Sequence, residues 1–103
     1  MKYHDVSADE VKKLQQENPE AVLLDVRTPM EVAMGKIPGA YVIDLMSHQF
    51  DKEVAQLDKS KTYVVYCRSG GRSAQACNYM SGKGFSNLYN LRGGIGSWPY
   101  ETE

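Results

Sequence analysis

The chain has 103 residues, of which 12 are basic and 13 acidic, a formal net charge of -1 and only two cysteines. This length suits one domain with a core of its own, and two cysteines are too few for a disulfide framework. The balanced charge gives no basic surface for nucleic acid, and no apolar run reaches the length of a membrane span, so we expect a single domain over residues 1–103 with neither partner.

The first residues are mostly polar and contain none of the apolar stretch that a secretory signal needs. A cytoplasmic location is therefore the default expectation, although a signal that had been removed would leave the same pattern. Residues 2–6 predict a short strand. Residues 7–10 form a capping box and predict a helix that ends near Asn18.

Residues 21–26 are almost continuously apolar, as in a strand buried on both faces of a parallel sheet. Residues 28–31 form a second capping box with proline at the first helical position, and they predict a short helix. After a Pro-Gly turn, residues 41–43 predict a third strand. A helix of about ten residues is expected from near Ser47 to Leu57.

In the C-terminal half, predicted strands and helices continue to alternate. Residues 62–66 are rich in β-branched and aromatic side chains and predict a strand, followed by a helix at 72–82, a strand at 88–91 and a short turn or helix at 93–98. Short connections between strands and helices predict an α/β fold, with a mostly parallel sheet of about five strands and helices on both faces. Ligands of such sheets bind beyond the carboxyl ends of the strands.

The loop beyond residue 66 has the composition of an anion-binding cradle. It reads Cys67-Arg68-Ser69-Gly70-Gly71-Arg72-Ser73. Backbone amides and the helix dipole converge at a strand-to-helix junction, and we expect Gly70 and Gly71 to adopt the unusual backbone angles that turn amides inward. Such a setting lowers a cysteine pKa from about 8.5 to roughly 3.5–7.5 and yields a thiolate nucleophile. We expect Cys67 to be catalytic and the substrate to be bound by Arg68, Ser69, Gly70, Gly71, Arg72 and Ser73.

The other interpretation of Cys67 is a small buried apolar residue at a strand end. The glycines and arginines that follow favour the nucleophile. Cys77 receives the opposite interpretation, because it shares a helical stripe with Ala74 and Met80 and is expected in the core. Neither histidine lies at a metal-ligand spacing from the cysteines, so we expect no metal and no cofactor.

Three charged residues near the second strand resemble an acid-base set. Asp25 and Arg27 follow the buried strand, and Glu31 lies within the second capping box. These positions favour a structural ion pair and a helix cap over catalysis. The glycines at 93, 94 and 96 have the spacing of a dinucleotide loop, but no βαβ unit can follow them so near the end of this sequence.

These motifs together resemble a single rhodanese domain, of the sulfurtransferase family, over nearly the whole chain. The matching residues are Asp25-Val26-Arg27, Glu31, Gly35 and Ile37-Pro38-Gly39-Ala40, the loop at 67–73, Gly84-Phe85, and Leu91-Arg92-Gly93-Gly94-Ile95 through Trp98. Lys36, Val32 and Val42 stand where the family usually has histidine, an aromatic residue and asparagine. These departures lie outside the loop and concern local packing and partner contacts.

The resemblance implies a rhodanese-like three-layer sandwich and a sulfurtransferase that works through a persulfide on Cys67. The sulfur would pass from a small-molecule donor such as thiosulfate to an acceptor such as cyanide or a thiol. The alternative is a carrier module that relays the persulfide to a protein partner. Phosphatase or arsenate-reductase chemistry is less favoured, because cysteine phosphatases have a loop one residue longer and this loop contains no aspartate. Without a heptad pattern or large apolar face, we expect a monomer.

Overall fold

The computed structural model describes residues 2–103, which contain one five-stranded sheet. Its strands are His4–Val6 (β1), Val22–Asp25 (β2), Tyr41–Val42 (β3), Thr62–Tyr66 (β4) and Asn87–Leu91 (β5). They lie in the order β1-β5-β4-β2-β3, and each neighbouring pair is parallel. The predicted parallel sheet is therefore confirmed, with β4 at its centre.

The helices of the described chain are Ala8–Glu17 (α1), Pro29–Ala33 (α2), Phe50–Ala55 (α3) and Gly71–Ser81 (α4), with a 3₁₀ turn at Ile95–Ser97. Both predicted capping boxes are present, at the starts of α1 and α2. In each box the side chain of serine or threonine accepts a backbone N–H while the glutamate accepts another, which satisfies two free amides of the first turn. No helix within residues 2–103 is long and apolar enough to cross a membrane.

The helix expected near residues 47–57 is shorter than predicted. Asp44 Oδ1 accepts the amide of Met46 at 2.9 Å, and Ser47 Oγ accepts the amide of Gln49 at 3.0 Å. These local side-chain bonds compete with helical backbone bonds. The chain therefore turns through residues 44–49, and α3 spans only Phe50–Ala55. The strand predicted at 62–66 has the bounds of β4, and the ends of the other predicted elements lie within two residues of those in the structure.

Side chains of β4 alternate between two cores, one on each face of the sheet. Tyr63 and Val65 join the first core, whose other members include Phe50, Val54, Ala76, Cys77 and Met80 from α3 and α4. Val64 and Tyr66 join the second core, with Val11, Leu23, Ile37, Leu91 and Trp98. Burying one such side chain contributes about 1.5–3 kcal/mol. Helices thus cover both faces, and the fold is the predicted α/β sandwich.

Candidate active site

Cys67 lies directly after β4, where the chain turns into α4. Its side chain is 1% exposed and reaches into the first core. The amide of Gly70 donates to Cys67 Sγ at 3.0 Å, and Ser73 Oγ lies 3.4 Å from the same sulfur. The loop therefore curls around the sulfur and brings Cys67, Gly70 and Ser73 together.

The two glycines of the loop differ in conformation. Gly70 has a φ of 115° and is the residue that caps α4. This left-handed backbone favours glycine, and it directs the Gly70 amide at the sulfur. Gly71 is the first residue of α4 and has no positive φ. The expectation that both glycines adopt unusual angles is therefore wrong for Gly71, because the helix has already begun there.

Burial alone would raise the pKa of the Cys67 thiol, but hydrogen bonds around the sulfur outweigh it. The hydroxyl and amide of Ser73 and the amides of Gly70 and Ser69 favour the thiolate, and the pKa of Cys67 lies below its ordinary value. The N-terminus of α4 places the positive end of the helix dipole at the same point. This setting favours the thiolate form of Cys67.

Cys77 has the opposite environment. It is fully buried in the first core, and its sulfur lies 3.8 Å from the carbonyl oxygen of Tyr89. Burial, aided by the charge of Asp5, raises the pKa of Cys77 to about 12. Cys77 is therefore a neutral packing residue, and its predicted place in the core is confirmed.

The two arginines of the loop have different surroundings. Arg72 donates from its two terminal nitrogens to the two carboxylate oxygens of Glu31, at 2.6 and 2.8 Å. This bidentate pair ties α4 to α2 and neutralises the arginine locally. Arg68 is exposed and, across residues 2–103, makes no ion pair with a carboxylate. Arg68 is therefore the loop cation available to a mobile anion.

Glu31 both caps α2 and binds the loop at residues 67–73, which is called the active loop below. The guanidinium of Arg72, followed by the hydrogen bonds from Thr28, lowers the pKa of Glu31 to about 2. Glu31 is thus a permanent carboxylate rather than a proton donor. The expected cap is confirmed, but the contact with Arg72 is new, because no local pattern relates residues 41 positions apart.

Asp25 and Arg27 form the buried ion pair that the sequence predicts. Arg27 Nη2 lies 2.6 Å from Asp25 Oδ2, and the same nitrogen donates to the carbonyl of Gly35 at 2.8 Å. The pair anchors the segment that carries α2 to the carboxyl end of β2. Arg27 Nη1 also donates to the carbonyl of Glu31 at 3.4 Å, so the pair helps to position that residue.

A segment after β5 supports the loop from the other side, and sequence reasoning missed its role. The amide of Ile95 donates to the carbonyl of Cys67 at 3.0 Å, and the amide of Gly96 donates to the carbonyl of Arg68 at 3.0 Å. Gly94 has a φ of 58°, and a Cβ there would overlap both of these carbonyl oxygens. Successive glycines after a strand can signal such a close approach of two backbones.

The chain is similar to known proteins over most of its length. A family model described as a rhodanese-like domain matches residues 7–100. A protein named sulfurtransferase from Allochromatium vinosum is 36% identical over 95 residues, which are 92% of this chain and 87% of that protein. The thiosulfate sulfurtransferase GlpE of Ectopseudomonas mendocina is 35% identical over 86 residues, covering 80% of this chain and 77% of that protein.

A similar fold occurs among solved structures. The crystal structure of a rhodanese-like domain protein from Staphylococcus aureus has a TM-score of 0.85 with this chain at 31% identity. The match covers 97% of this chain and 96% of the other. The likeness therefore extends over nearly the whole fold.

Proposed function

Because the chain belongs to the rhodanese-like domain family, which includes sulfurtransferases, we propose that it carries sulfane sulfur on Cys67 as a persulfide. The observation that carries this proposal is the environment of the sulfur. At the start of α4, Cys67 Sγ accepts a hydrogen bond from the Gly70 amide at 3.0 Å. Hydrogen bonds hold the pKa of Cys67 below its ordinary value even though the residue is buried.

In the first step, the Cys67 thiolate attacks the outer sulfur of a donor such as thiosulfate. A new S–S bond forms to Cys67 while the S–S bond of the donor breaks, and sulfite leaves with the electron pair. The persulfide then carries its negative charge on the outer sulfur. The amides of Ser69, Gly70 and Ser73 already lie around the sulfur and are donors for this charge.

In the second step, cyanide or a thiolate attacks the outer sulfur of the persulfide. The new bond forms at that sulfur, the S–S bond to Cys67 breaks, and Cys67 leaves as a thiolate. The cycle therefore needs no oxidant and no cofactor. Arg68 attracts the anionic donor through its unpaired charge, while Ser69, Gly71 and Ser73 shape the cradle.

The position of Arg72 supports sulfur transfer over phosphoryl transfer. A phosphatase of this kind would need a loop arginine free to bind the phosphoryl oxygens, whereas both terminal nitrogens of Arg72 are held by Glu31. The short loop between Cys67 and Arg72 also suits one sulfur atom better than a phosphoryl group. Arg72 then serves to hold the loop closed.

A second candidate is a carrier that loads with sulfur and passes it to a protein acceptor. The observation that favours it is an exposed apolar face on α2, the helix that binds the loop through Glu31. Met30 in α2 is 81% exposed, and Met34, the residue that caps the C-terminus of this helix, is 88% exposed. Methionines adapt easily to a partner surface. A carrier would load stoichiometrically with thiosulfate but discharge slowly to cyanide, so rapid turnover with both small molecules would count against it.

Intact mass spectrometry tests the leading proposal. Thiosulfate should add one sulfur atom to the protein, and cyanide should remove it with release of thiocyanate. Cys67→Ala should take up no sulfur. Cys77→Ala is the matched control and should behave like the unaltered protein, because Cys77 lies in the core. If no sulfane donor added sulfur to the folded protein, the proposal would be wrong.

A further inference from the structure

A chain of polar side chains runs from Cys67 to the first strand of the sheet. Ser73 Oγ lies 3.4 Å from Cys67 Sγ and 2.5 Å from Asn90 Oδ1. Asn90 Nδ2 in turn donates to Asp5 Oδ1 at 3.0 Å. Ser73 and Asn90 are both buried. Buried polar groups are costly unless they are hydrogen-bonded, and the sulfur-transfer cycle above gives no task to Asn90 or Asp5.

Ser73 has one hydroxyl proton and three neighbouring acceptors. These are the Cys67 sulfur, the carbonyl of Gly70 at 3.1 Å and the amide oxygen of Asn90. The Asp5 carboxylate can accept hydrogen bonds but cannot donate them. It therefore fixes the orientation of the Asn90 amide, with Nδ2 toward β1 and Oδ1 toward Ser73. Asn90 Oδ1 has no proton to offer, and its contact with Ser73 must use the Ser73 proton. Cys67 and Asn90 therefore compete for one donor.

We propose that Asn90, oriented by Asp5, is a positioning residue that draws the Ser73 hydroxyl proton away from Cys67. The thiolate then receives its hydrogen bonds from backbone amides and from a Ser73 hydroxyl that Asn90 shares, so that Ser73 supplies only part of the stabilisation it could give. This has a chemical use, because a thiolate of lower pKa is a weaker nucleophile, with a Brønsted coefficient of about 0.4–0.5. The inference rests on the proposed function only in taking Cys67 as the reacting group.

Other charged groups surround Cys67 on the packed elements. They are Arg68 in the loop, Arg72 in α4, Glu31 in α2, and Asp25 and Arg27 after β2. Within the described chain, the side chain of Asn90 bonds only to Ser73 and Asp5. A change at Asn90 therefore reaches the sulfur through the Ser73 hydroxyl.

The pH dependence of Cys67 alkylation by iodoacetamide measures the pKa of Cys67 without sulfur transfer. Asn90→Leu removes the competing acceptor at similar volume and should lower the pKa of Cys67 by about half to one unit. Asp5→Asn should shift the pKa in the same direction, because the Asn90 amide can then turn and donate to Ser73. Asn87→Leu, at an exposed position of the same strand, is the matched control and should leave the pKa unchanged. The proteins carry Cys77→Ala so that one thiol reacts.

Asn90→Leu made in a Ser73→Ala protein tests whether the effect on Cys67 depends on the Ser73 hydroxyl. With no hydroxyl to redirect, Asn90→Leu should no longer change the pKa of Cys67. A shift that persists without Ser73, or a pKa that stays constant or rises in the Asn90→Leu protein, would overturn the inference. If Asn90→Leu does not fold, Asp5→Asn in proteins with and without Ser73 decides the matter, because Asp5 is exposed. Only a shift that needs Ser73 supports the inference, since loss of the Asp5 charge acts on the thiol in both proteins. Failure of the proposed function is recognised separately, by the absence of a sulfur adduct. That result is independent of whether the pKa of Cys67 measured by alkylation changes in the variants.

Discussion

Glu31 connects the start of α2 to the active loop through a single carboxylate. Arg72 binds both of its oxygens, and the pKa of Glu31 falls from 4.5 to about 2 as a result. A carboxyl group with a lowered pKa in the folded state stabilises the fold above its unfolded pKa and loses this contribution as the pH falls through the folded value. The contribution of Glu31 is therefore complete near neutral pH and declines between about pH 4.5 and pH 2.

We expect Glu31→Gln to remove this part of the acid dependence. Glutamine still accepts the capping bonds of Thr28 but offers no charge to Arg72. Because the pair is partly exposed, the free energy of unfolding near neutral pH should fall by about 1 kcal/mol or less. The difference from the unaltered protein should disappear near pH 2. Urea denaturation over this pH range measures both effects.

Glu17→Gln is the control for that experiment, since Glu17 is exposed and, in the described part of the chain, forms no ion pair. Its acid dependence should match the unaltered protein. If Glu31→Gln gave the same curve as Glu17→Gln, the pair between Glu31 and Arg72 would contribute nothing to stability.

Among the elements, the segment that follows β5 determines how closely the active loop is held. The amides of Ile95 and Gly96 bind the carbonyls of Cys67 and Arg68, and this leaves no room for a side chain at Gly94. The loop is thus fixed at one end by α4 and at the other by a turn more than twenty residues further along the chain. The backbone of Cys67 cannot move without breaking these bonds.

Gly94→Ala should distort the loop, because its methyl group would overlap the carbonyl oxygens of Cys67 and Arg68 and the residue has a positive φ. Gly94 has a φ of 58° and a ψ of -158°, a backbone region that is essentially confined to glycine, and holding another residue there costs about 1–3 kcal/mol. We expect a loss of unfolding free energy of about 2 kcal/mol or more and a slower rate of persulfide formation. Thermal denaturation and the rate of sulfur uptake from thiosulfate measure the two effects.

Gly71→Ala provides the comparison within the same loop. Gly71 has no positive φ, and a Cβ there would have no heavy atom within 4 Å. We expect stability and persulfide formation close to those of the unaltered protein, since alanine also favours the helix that begins at this residue. Equal losses of stability and of persulfide formation in Gly94→Ala and Gly71→Ala would contradict this. They would show that a methyl group disturbs the loop even where it does not overlap the Cys67 carbonyl.

Local rules predicted the features that lie within a few residues of their cause. Capping boxes correctly predicted the starts of α1 and α2, and a β-branched run with a following glycine-rich loop located Cys67. The length of α3 was missed because turns at Asp44 and Ser47 use side-chain oxygens that also occur in helices. Local patterns could identify parallel strands but not their order, since strand pairing joins distant parts of the chain.

The site divides in the same way. The loop residues are contiguous and follow a strand, so their placement could be predicted. Three supporting contacts could not, because each depends on tertiary packing: Glu31 with Arg72, Asn90 with Ser73, and the Gly94 turn with Cys67. Their effect is to fix the loop against α2, β5 and the C-terminal turn. The loop that carries Cys67 is thus visible in the sequence, whereas the contacts that make this loop rigid are a property of the fold.

For the whole molecule, a formal net charge of -1 provides no long-range attraction for an anionic donor. Positive potential is confined to the loop amides, the N-terminus of α4 and Arg68, because Arg72 is neutralised by Glu31. The field at the site is therefore local. Its range is about 10 Å or less at an ionic strength of 0.1 M.

We expect Arg68→Ala to lower kcat/KM for thiosulfate by about five- to tenfold, because a unit charge near a dianion contributes about 1 kcal/mol or more even in water-like surroundings. Arg92→Ala is the matched control, since it removes the same charge from an exposed residue whose partner is Glu10 at 3.8 Å. Both variants change the net charge equally, so a field spread over the molecule would affect them alike. Steady-state rates with thiosulfate and cyanide distinguish the cases: a loss confined to Arg68→Ala supports local recognition, and equal losses would contradict it.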